Sequence, residues 1–460
     1  MRTALHRRLV LLGSLFGACC AVAAGCGDTL DISPIGDAGV ADTSLPDAAD
    51  AARDGAAPDA ATDAHDASVD AGPSSFALFT YADLGVATQK QHLVALDLTT
   101  GAMHDTPWRG AVATTTACDA PWLLGQDTDL VAKLDAREPW RIASTWDVHL
   151  GDRPDGGPVA AGPAAILELG PLAKAYVMRF LRNRIAVLDT SQSVDAGAPV
   201  ATIDLSPFVQ PNDTDGIVEP IFAFWEGPPH QIVYLLLAGI DRNKVTADGK
   251  LLCADTTPLL VGIDVRSDTI IPLRDGNGPN GSFRLSGYAP TFDVQFGRPS
   301  ALYDARYLRL LALSTGCYES LADGGVGAAS RRMIEQVTSN GVAFGVVQTR
   351  IDLSATEPMP KDWSYIGLRD ALIGIGPQVV RWDSLQAKLG PVFATTPGSG
   401  SVELGVANAG GGDAILSNTA VTNGNPSFEV HRAHADGGTE LLLGLSGVQT
   451  GAITIWPKVP

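Results

Sequence analysis

The residues best able to bind a ligand are three acidic side chains in the segment Asn212–Glu219, which reads NDTDGIVE. Asp213 and Asp215 alternate before Gly216, and Glu219 follows three residues later. Carboxylate oxygens at this spacing around a glycine turn can surround a hard cation such as Ca²⁺. The segment lacks the length and the third Asp of an EF-hand loop, so an ordinary Asp-Gly turn without an ion is the alternative interpretation.

Sequence signatures of catalysis are largely missing. The chain has no Walker loop, no Gly-x-Ser-x-Gly elbow, no His-Glu-x-x-His and no Cys-x-x-Cys-His for haem attachment. Residues 95–101, ALDLTTG, resemble the start of a quinoprotein blade motif, but Asp105 stands where that motif has its docking Trp, and Trp108 comes three residues late. We therefore expect no catalytic machinery and no cofactor other than the candidate Ca²⁺.

The charge balance excludes nucleic acid as a partner. The 460 residues contain 32 Lys and Arg against 51 Asp and Glu, which gives a formal charge of −19. A nucleic-acid-binding surface needs a basic face to displace counterions from phosphates. The charge is also uneven, because residues 1–25 carry +3, residues 26–73 carry −10 and the remaining 387 residues carry only −12.

The first 25 residues predict a signal for export. A basic start with Arg2, Arg7 and Arg8 precedes an apolar stretch and the small residues before Cys26. The ending Ala-Ala-Gly-Cys resembles a bacterial lipobox, which implies that Cys26 receives a lipid and anchors the protein to a membrane. An ordinary secretory signal with an incidental Cys26 is the alternative. Gly27 rather than Asp follows the cysteine, which favours the outer membrane, on its periplasmic side or at the cell surface.

Residues 26–73 predict a disordered acidic tether. Eleven Asp residues are spaced by Ala, Gly, Pro, Ser and Thr, with Arg53 as the only Lys or Arg. Such a segment cannot bury enough apolar surface to offset its chain entropy, and its like charges repel one another. We expect it to hold residues 74–460 away from a lipid surface.

Residues 74–460 predict an all-β domain built from repeated four-stranded units. The clearest unit has four β-rich runs separated by short polar breaks, at 164–169, 174–180, 184–189 and 199–205. Its order and spacing resemble the YVTN-type β-propeller repeat of bacterial exported proteins. The resemblance is close over this unit and looser elsewhere, and it implies a β-propeller of four-stranded antiparallel blades.

The third strand of this unit recurs seven times, which predicts seven blades. The copies lie at 93–97, 131–135, 186–189, 261–264, 333–337, 379–383 and 428–432. Five of them end in Asp, and we interpret this residue as an acceptor for backbone N–H groups in the following turn rather than as a ligand. The first unit lacks a first strand, and one spare run, 452–456, follows the last unit. We expect that run to close the ring by completing the first blade.

Long breaks between the predicted strands all fall at one end of the blades. We call this surface the loop-rich face and define it by residues 151–163, 206–219, 242–257, 275–289 and 316–328. Cys253 and Cys317 lie there in equivalent positions of neighbouring units, so we expect a disulfide between them, with Cys118 packed or free. The alternative interpretation is that the long loops have no function.

These observations together predict an exported, lipid-anchored β-propeller that acts as a binding or scaffold module. We expect the chain to be a monomer and the loop-rich face to bind a protein or a glycan. The alternative is a propeller enzyme of the lactonase or quinone-dependent dehydrogenase type, with its site at the mouth of the central channel.

Overall fold

The computed structural model describes most of residues 75–456. The exceptions are residues 84–89, 110–111, 117–119, 153–159, 192, 194, 227–230, 248, 289–300, 305–308, 323, 340–343, 354–359, 366–369, 376–377, 384–385, 387, 396–402, 423–424 and 447. The regular secondary structure of the described residues is almost entirely β-strand, and no helix among them is long and apolar enough to cross a membrane.

The strands form seven antiparallel blades, as the repeat count predicts. The strands of the first three blades are β1 (Phe76–Asp83), β2 (Lys90–Asp97), β3 (Met103–Arg109), β4 (Val112–Thr116), β5 (Pro121–Gly125), β6 (Leu130–Leu134), β7 (Ile142–Asp147), β8 (Pro163–Leu169), β9 (Lys174–Arg179), β10 (Arg184–Asp189) and β11 (Ala201–Asp204). Blade 4 and blade 5 contain β12 (Pro220–Glu226), β13 (Ile232–Leu237), β14 (Leu259–Asp264), β15 (Thr269–Ile271), β16 (Phe283–Arg284), β17 (Ala301–Asp304), β18 (Arg309–Ser314), β19 (Cys317–Ser320), β20 (Val326–Ser330), β21 (Met333–Ser339) and β22 (Phe344–Asp352). The last two blades and the closing strand are β23 (Pro360–Tyr365), β24 (Asp370–Ile375), β25 (Gln378–Asp383), β26 (Lys388–Thr395), β27 (Glu403–Gly410), β28 (Asp413–Thr422), β29 (Asn425–Ala433), β30 (Thr439–Ser446) and β31 (Val448–Trp456).

Each predicted copy of the repeated strand lies in the third strand of its blade. These strands are β2, β6, β10, β14, β21, β25 and β29. Two blades also carry additions: β16 pairs with β14, and the hairpin β19–β20 is inserted between β18 and β21. The segment 316–328, predicted as a long loop, therefore consists largely of a two-stranded hairpin.

The ring is closed by the C-terminal strand. Strand β31 pairs antiparallel with β1 and supplies the first strand of blade 1, with Phe76 opposite Trp456 and Phe79 opposite Ile453. The prediction that residues 452–456 complete the first blade is confirmed. A closed ring leaves no free edge between the first and last blades.

Apolar side chains hold every neighbouring pair of blades together. A separate buried cluster fills each of the seven interfaces, including the one between blade 7 and blade 1, where Phe79 packs against Phe428 with ring centroids 5.1 Å apart. These strands are buried on both faces, which explains why they read as nearly continuous apolar runs such as YVM in β9 and YLLL in β13.

The aspartates that end the third strands fix the turns after them. Asp97, Asp135, Asp189 and Asp264 each accept a hydrogen bond from the backbone N–H two residues later, at 2.7–2.9 Å. Asp383 accepts instead from the N–H three residues later, at 2.9 Å. The structural interpretation of these residues is confirmed, because their carboxylates are used within the turns.

Replacement of Asp135 by Ala should lower the free energy of unfolding by about 1 kcal/mol, because two turn hydrogen bonds are lost. Asp135→Asn keeps an oxygen acceptor and should cost less. The backbone N–H groups of Glu138 and Arg137 hold the pKa of Asp135 below its ordinary value of 3.8. The carboxyl group therefore binds a proton more readily in the unfolded chain than in the folded one. Its contribution to the free energy of unfolding is complete above pH 3.8 and is lost as the pH falls further. Urea unfolding at neutral pH and near pH 3 measures both effects, and an equal difference from wild type at both pH values contradicts this explanation.

Candidate functional site

The candidate site is built by two segments that meet at the start of blade 4. Residues 205–219 link β11 to β12, and residues 238–258 connect β13 to β14. Because β12 and β13 are antiparallel, with Pro220 opposite Leu237, the link enters blade 4 where the second segment leaves it. Both segments therefore lie at the same end of the blade.

The first segment folds into consecutive aspartate turns. Asp213 Oδ1 accepts the backbone N–H groups of Asp215 and Gly216, each at 3.3 Å, and Asp215 Oδ1 accepts that of Ile217 at 2.9 Å. Gly216 has a φ of +68°, a conformation that favours glycine. The Asp-Gly turn considered in the sequence is thus present, and its geometry leaves Asp213 Oδ2 without a role in the turn.

Asp241, from the second segment, completes a group of three carboxylates. One oxygen each of Asp213, Asp215 and Asp241 lies within 4.8 Å of the other two. Asp241 is fully buried, and both of its oxygens contact the hydroxyl of Thr214, at 2.8 and 2.9 Å. Reasoning from the sequence missed Asp241, since it lies on another segment. Its position directly after the apolar run 232–240, four residues beyond the last residue of β13, was the only available signal.

Glu219, the third residue of the predicted cation set, lies beside this group and is not one of the three. Its side chain is fully buried, and Oε2 accepts the backbone N–H of Ile240 at 2.9 Å. Its Oε1 lies 3.5 Å from Arg242 Nε, which donates to Asp215 Oδ2 at 2.9 Å. The structure therefore brings Asp213, Asp215 and Glu219 into one neighbourhood and adds Asp241 and Arg242.

The crowding of negative charge alters the protonation of the site. Burial and the neighbouring carboxylate of Asp215 raise the pKa of Asp213 to about 7. Burial also raises the pKa of Glu219 well above its ordinary value, and Asp215 adds to this effect while Arg242 opposes it. Without a cation, one or more of these groups retains a proton near neutral pH, because a single guanidinium cannot balance four carboxylates.

A buried ion pair supports the neighbouring part of the loop-rich face. Arg179, at the end of β9, is fully buried and donates two hydrogen bonds to Asp152, at 2.6 and 2.7 Å. Arg182 Nε lies 3.7 Å from the same carboxylate. Burial by itself would raise the pKa of Asp152, but the hydrogen bonds and charge of Arg179 outweigh it and hold the pKa below its ordinary value.

Asp152→Asn should destabilise the protein by about 2 kcal/mol, because it leaves the buried Arg179 charge without its partner while the partly exposed position softens the loss. The midpoint of urea unfolding measures the change. Asp275→Asn is the matched control, since Asp275 is exposed and its substitution should alter stability by less than about 0.5 kcal/mol. Equal stabilities of the two variants would show that the ion pair contributes nothing.

The predicted disulfide between Cys253 and Cys317 is present, with a Cα–Cα distance of 4.9 Å. It joins the β13–β14 connection of blade 4 to the inserted hairpin of blade 5. Backbone hydrogen bonds continue the junction, since Cys253 N–H donates to Tyr318 O and Tyr318 N–H donates to Leu251 O, each at 2.9 Å. The two insertions therefore form one cross-linked surface on the loop-rich face.

A chain of contacts connects this junction to the carboxylate group. Arg331 donates to Ala254 O at 3.1 Å, next to the disulfide, and its guanidinium lies 4.7 Å from the ring centre of Tyr288. The Tyr288 hydroxyl accepts the backbone N–H of Asp241 at 3.3 Å. The disulfide and the carboxylate group therefore belong to one packed region.

Several predicted features lie outside the described residues. They are the signal sequence 1–25, the lipid-anchor residue Cys26, the tether 26–73, and Cys118. The lipid anchor and the domain boundaries remain predictions.

Comparisons with known proteins return similarities to solved structures alone. No family model and no curated protein matches the sequence. A periplasmic gluconolactonase of Pseudomonas aeruginosa aligns with 83% of this chain and 99% of its own, at 10% identity and a TM-score of 0.49. A putative 6-phosphogluconolactonase of Bacteroides fragilis aligns with 83% of this chain and 98% of its own, also at 10% identity and a TM-score of 0.49.

Proposed function

We propose that this protein is an exported, lipid-anchored β-propeller that acts as a binding or scaffold module at the cell envelope. The loop-rich face binds its partner, a protein or a glycan. The observation that carries the proposal is the Cys253–Cys317 disulfide between two insertions on that face. Disulfides persist in oxidising compartments outside the cytosol, which supports export. A cross-linked surface also loses less entropy on binding than free loops do, which supports recognition.

The sequence before the propeller supports the same role. Residues 1–25 direct export, Cys26 carries the lipid, and the acidic segment 26–73 spaces the propeller from the outer membrane. The protein works as a monomer, either on the periplasmic side of the outer membrane or at the cell surface.

Photo-crosslinking from opposite faces of the ring tests the binding role. A photoreactive residue at Leu321, 47% exposed on the loop-rich face, should capture a discrete partner in intact cells. The same residue at Thr100, exposed in a third-strand turn at the opposite end, is the matched control. Equal capture from both positions, or none from Leu321 and further positions on the loop-rich face, contradicts the proposal.

The lipid anchor has its own test. Cys26→Ala should abolish incorporation of a labelled fatty acid and release the protein from the membrane fraction. Cys19→Ala should leave both unchanged, since Cys19 lies within the signal sequence. If Cys26→Ala protein stays membrane-bound and labelled, the anchor assignment is wrong.

One observation favours an enzyme as the second candidate. Asp213, Asp215 and Glu219 precede β12, the first strand of blade 4, and first strands line the channel of a propeller. The pKa of Asp213, about 7, suits a group that exchanges protons at neutral pH. Assays of lactone hydrolysis and of quinone-dependent alcohol oxidation should then show turnover that Asp213→Asn abolishes. If the wild-type protein is inactive in both assays, these two reactions are excluded as its activity.

A further inference from the structure

The three converging carboxylates have the dimensions of a calcium site. Their oxygens lie within 4.8 Å of one another. Two ligands on opposite sides of a Ca²⁺ ion are about 4.6–5.2 Å apart, because each Ca–O distance is about 2.3–2.6 Å. All three side chains offer oxygen, and no Cys or His belongs to the group, so the donor set suits a hard cation rather than zinc or copper.

A separate observation concerns the buried acid beside these carboxylates. Glu219 is fully buried, and its Oε1 has no hydrogen-bond donor among the described residues. Arg242 Nε is 3.5 Å away, but its hydrogen is directed to Asp215 Oδ2 at 2.9 Å. A buried carboxylate oxygen without a donor is destabilising, and a guanidinium 3.5 Å away that is hydrogen-bonded to Asp215 compensates only part of this cost.

The group also has an excess of negative charge that a divalent cation could offset. Among the described residues, Arg242 is the arginine in contact with this cluster of four carboxylates, so the fully ionised carboxylates and Arg242 together carry a charge of −3. The neighbouring Arg179 is committed to Asp152 through two hydrogen bonds. A divalent cation would reduce the cluster's charge to −1 and would let every carboxylate remain ionised.

We propose that Asp213, Asp215 and Asp241 bind one Ca²⁺ ion, with Glu219 as the adjacent buried charge that the ion offsets. Asp213 and Asp215 come from the link between blades 3 and 4, and Asp241 comes from the β13–β14 connection. The ion thereby fastens two segments at the base of the loop-rich face. Water completes the coordination, since Asp213 is only partly buried. The site requires no partner on the loop-rich face, so it stands or falls independently of the proposed function.

Titration calorimetry of the detergent-solubilised, chelator-treated mature protein with CaCl₂ tests the site. We expect one ion bound per chain and a melting temperature that rises with CaCl₂ concentration. MgCl₂ should bind at least about tenfold more weakly, because the spread of the ligands and the open side of the site suit the larger ion.

Two conservative variants test the ligands. Asp213→Asn and Asp241→Asn keep the size and one oxygen of each side chain, and each should weaken Ca²⁺ binding at least about thirtyfold. Asp264→Asn, at a third-strand turn on the opposite face, should bind Ca²⁺ like wild type. Should Asp241→Asn fail to fold, Asp213→Asn decides the question, because the Asp213 side chain accepts only long hydrogen bonds within its own turn. Absence of Ca²⁺ binding by wild type, unchanged affinity in Asp213→Asn, or equal affinity for Mg²⁺ would overturn the proposal.

Discussion

Truncation after Gly451 should abolish the cooperative folding of the entire ring. It removes three buried side chains of β31, Ile453, Ile455 and Trp456, which are 3, 6 and 7% exposed. Burial of each contributes about 2–3 kcal/mol. The combined loss of roughly 6–9 kcal/mol is comparable with the whole stability of a typical domain, about 5–15 kcal/mol.

Two further consequences enlarge the effect of this truncation. Strand β1 stays paired with β2 but loses the partners of Phe76–Phe79 on its other side, which leaves an exposed edge that can pair with other chains. Trp456 Nε1 also donates to Ala136 O at 2.7 Å, so the deletion cuts a contact between the closing strand and blade 2. We therefore expect aggregation as well as loss of the folded state.

Calorimetry and size-exclusion chromatography measure these outcomes. Truncation after Trp456 is the matched control, because it removes residues 457–460 and keeps all of β31. The control should melt like wild type in a single transition. If the chain ending at Gly451 melts at the wild-type temperature and stays monomeric, the strand does not close the ring in the way that the pairing implies.

Loss of the disulfide should lower the free energy of unfolding by about 4 kcal/mol. The bridge spans a sequence separation of 64 residues. The chain-entropy model gives about 4 kcal/mol for a loop of that length. For a domain of this size the change corresponds to a melting temperature lower by about 5 °C.

Loss of the disulfide should loosen the segments around it more than it lowers the stability of the whole domain. The bridge supports the pairing of Leu251 and Cys253 with Tyr318 and, through Arg331 and Tyr288, the packing around Asp241. Proteases should therefore cleave the Cys253→Ser/Cys317→Ser protein first within residues 242–257 and 316–328. Cys118→Ser is the control and should keep the wild-type melting temperature and cleavage pattern. An unchanged pattern in the double variant contradicts a supporting role for the bridge.

The sequence predicted the architecture because its signals are local and repeated. Mainly apolar runs of four or five residues, which end in a turn aspartate in the better copies, mark one strand in every blade. The first three runs of the unit at 164–205 match β8, β9 and β10 to within one residue, while β11 covers four of the seven residues of the fourth run. A missing first strand at one end and a spare run at the other predicted the closure. The disulfide followed from the same register, since equivalent loops of adjacent blades must be neighbours.

The candidate site was only partly predictable. Asp213, Asp215 and Glu219 stand out because they lie close together in the sequence. Asp241 does not stand out, because it lies on another segment. The pairing of Asp152 with Arg179 could not be predicted either, because one residue lies in a link and the other in a strand. Their proximity depends on how the link into a blade folds against the connection between that blade's second and third strands, which side-chain packing decides.

The sequence was enough to predict seven blades, the closing strand and the turn role of the repeated aspartates, and it favoured the Cys253–Cys317 pairing over the other cysteine pairings. Each of these follows from strand periodicity and turn chemistry within one unit or between equivalent positions of neighbouring units. The folded structure was needed to show which acids converge, which arginine lies between Asp215 and Glu219, and that a buried oxygen of Glu219 has no hydrogen-bond donor among the described residues. These features depend on side-chain packing between segments that are separated in the sequence. Burial then makes the electrostatic interactions between their charges stronger than they would be in water.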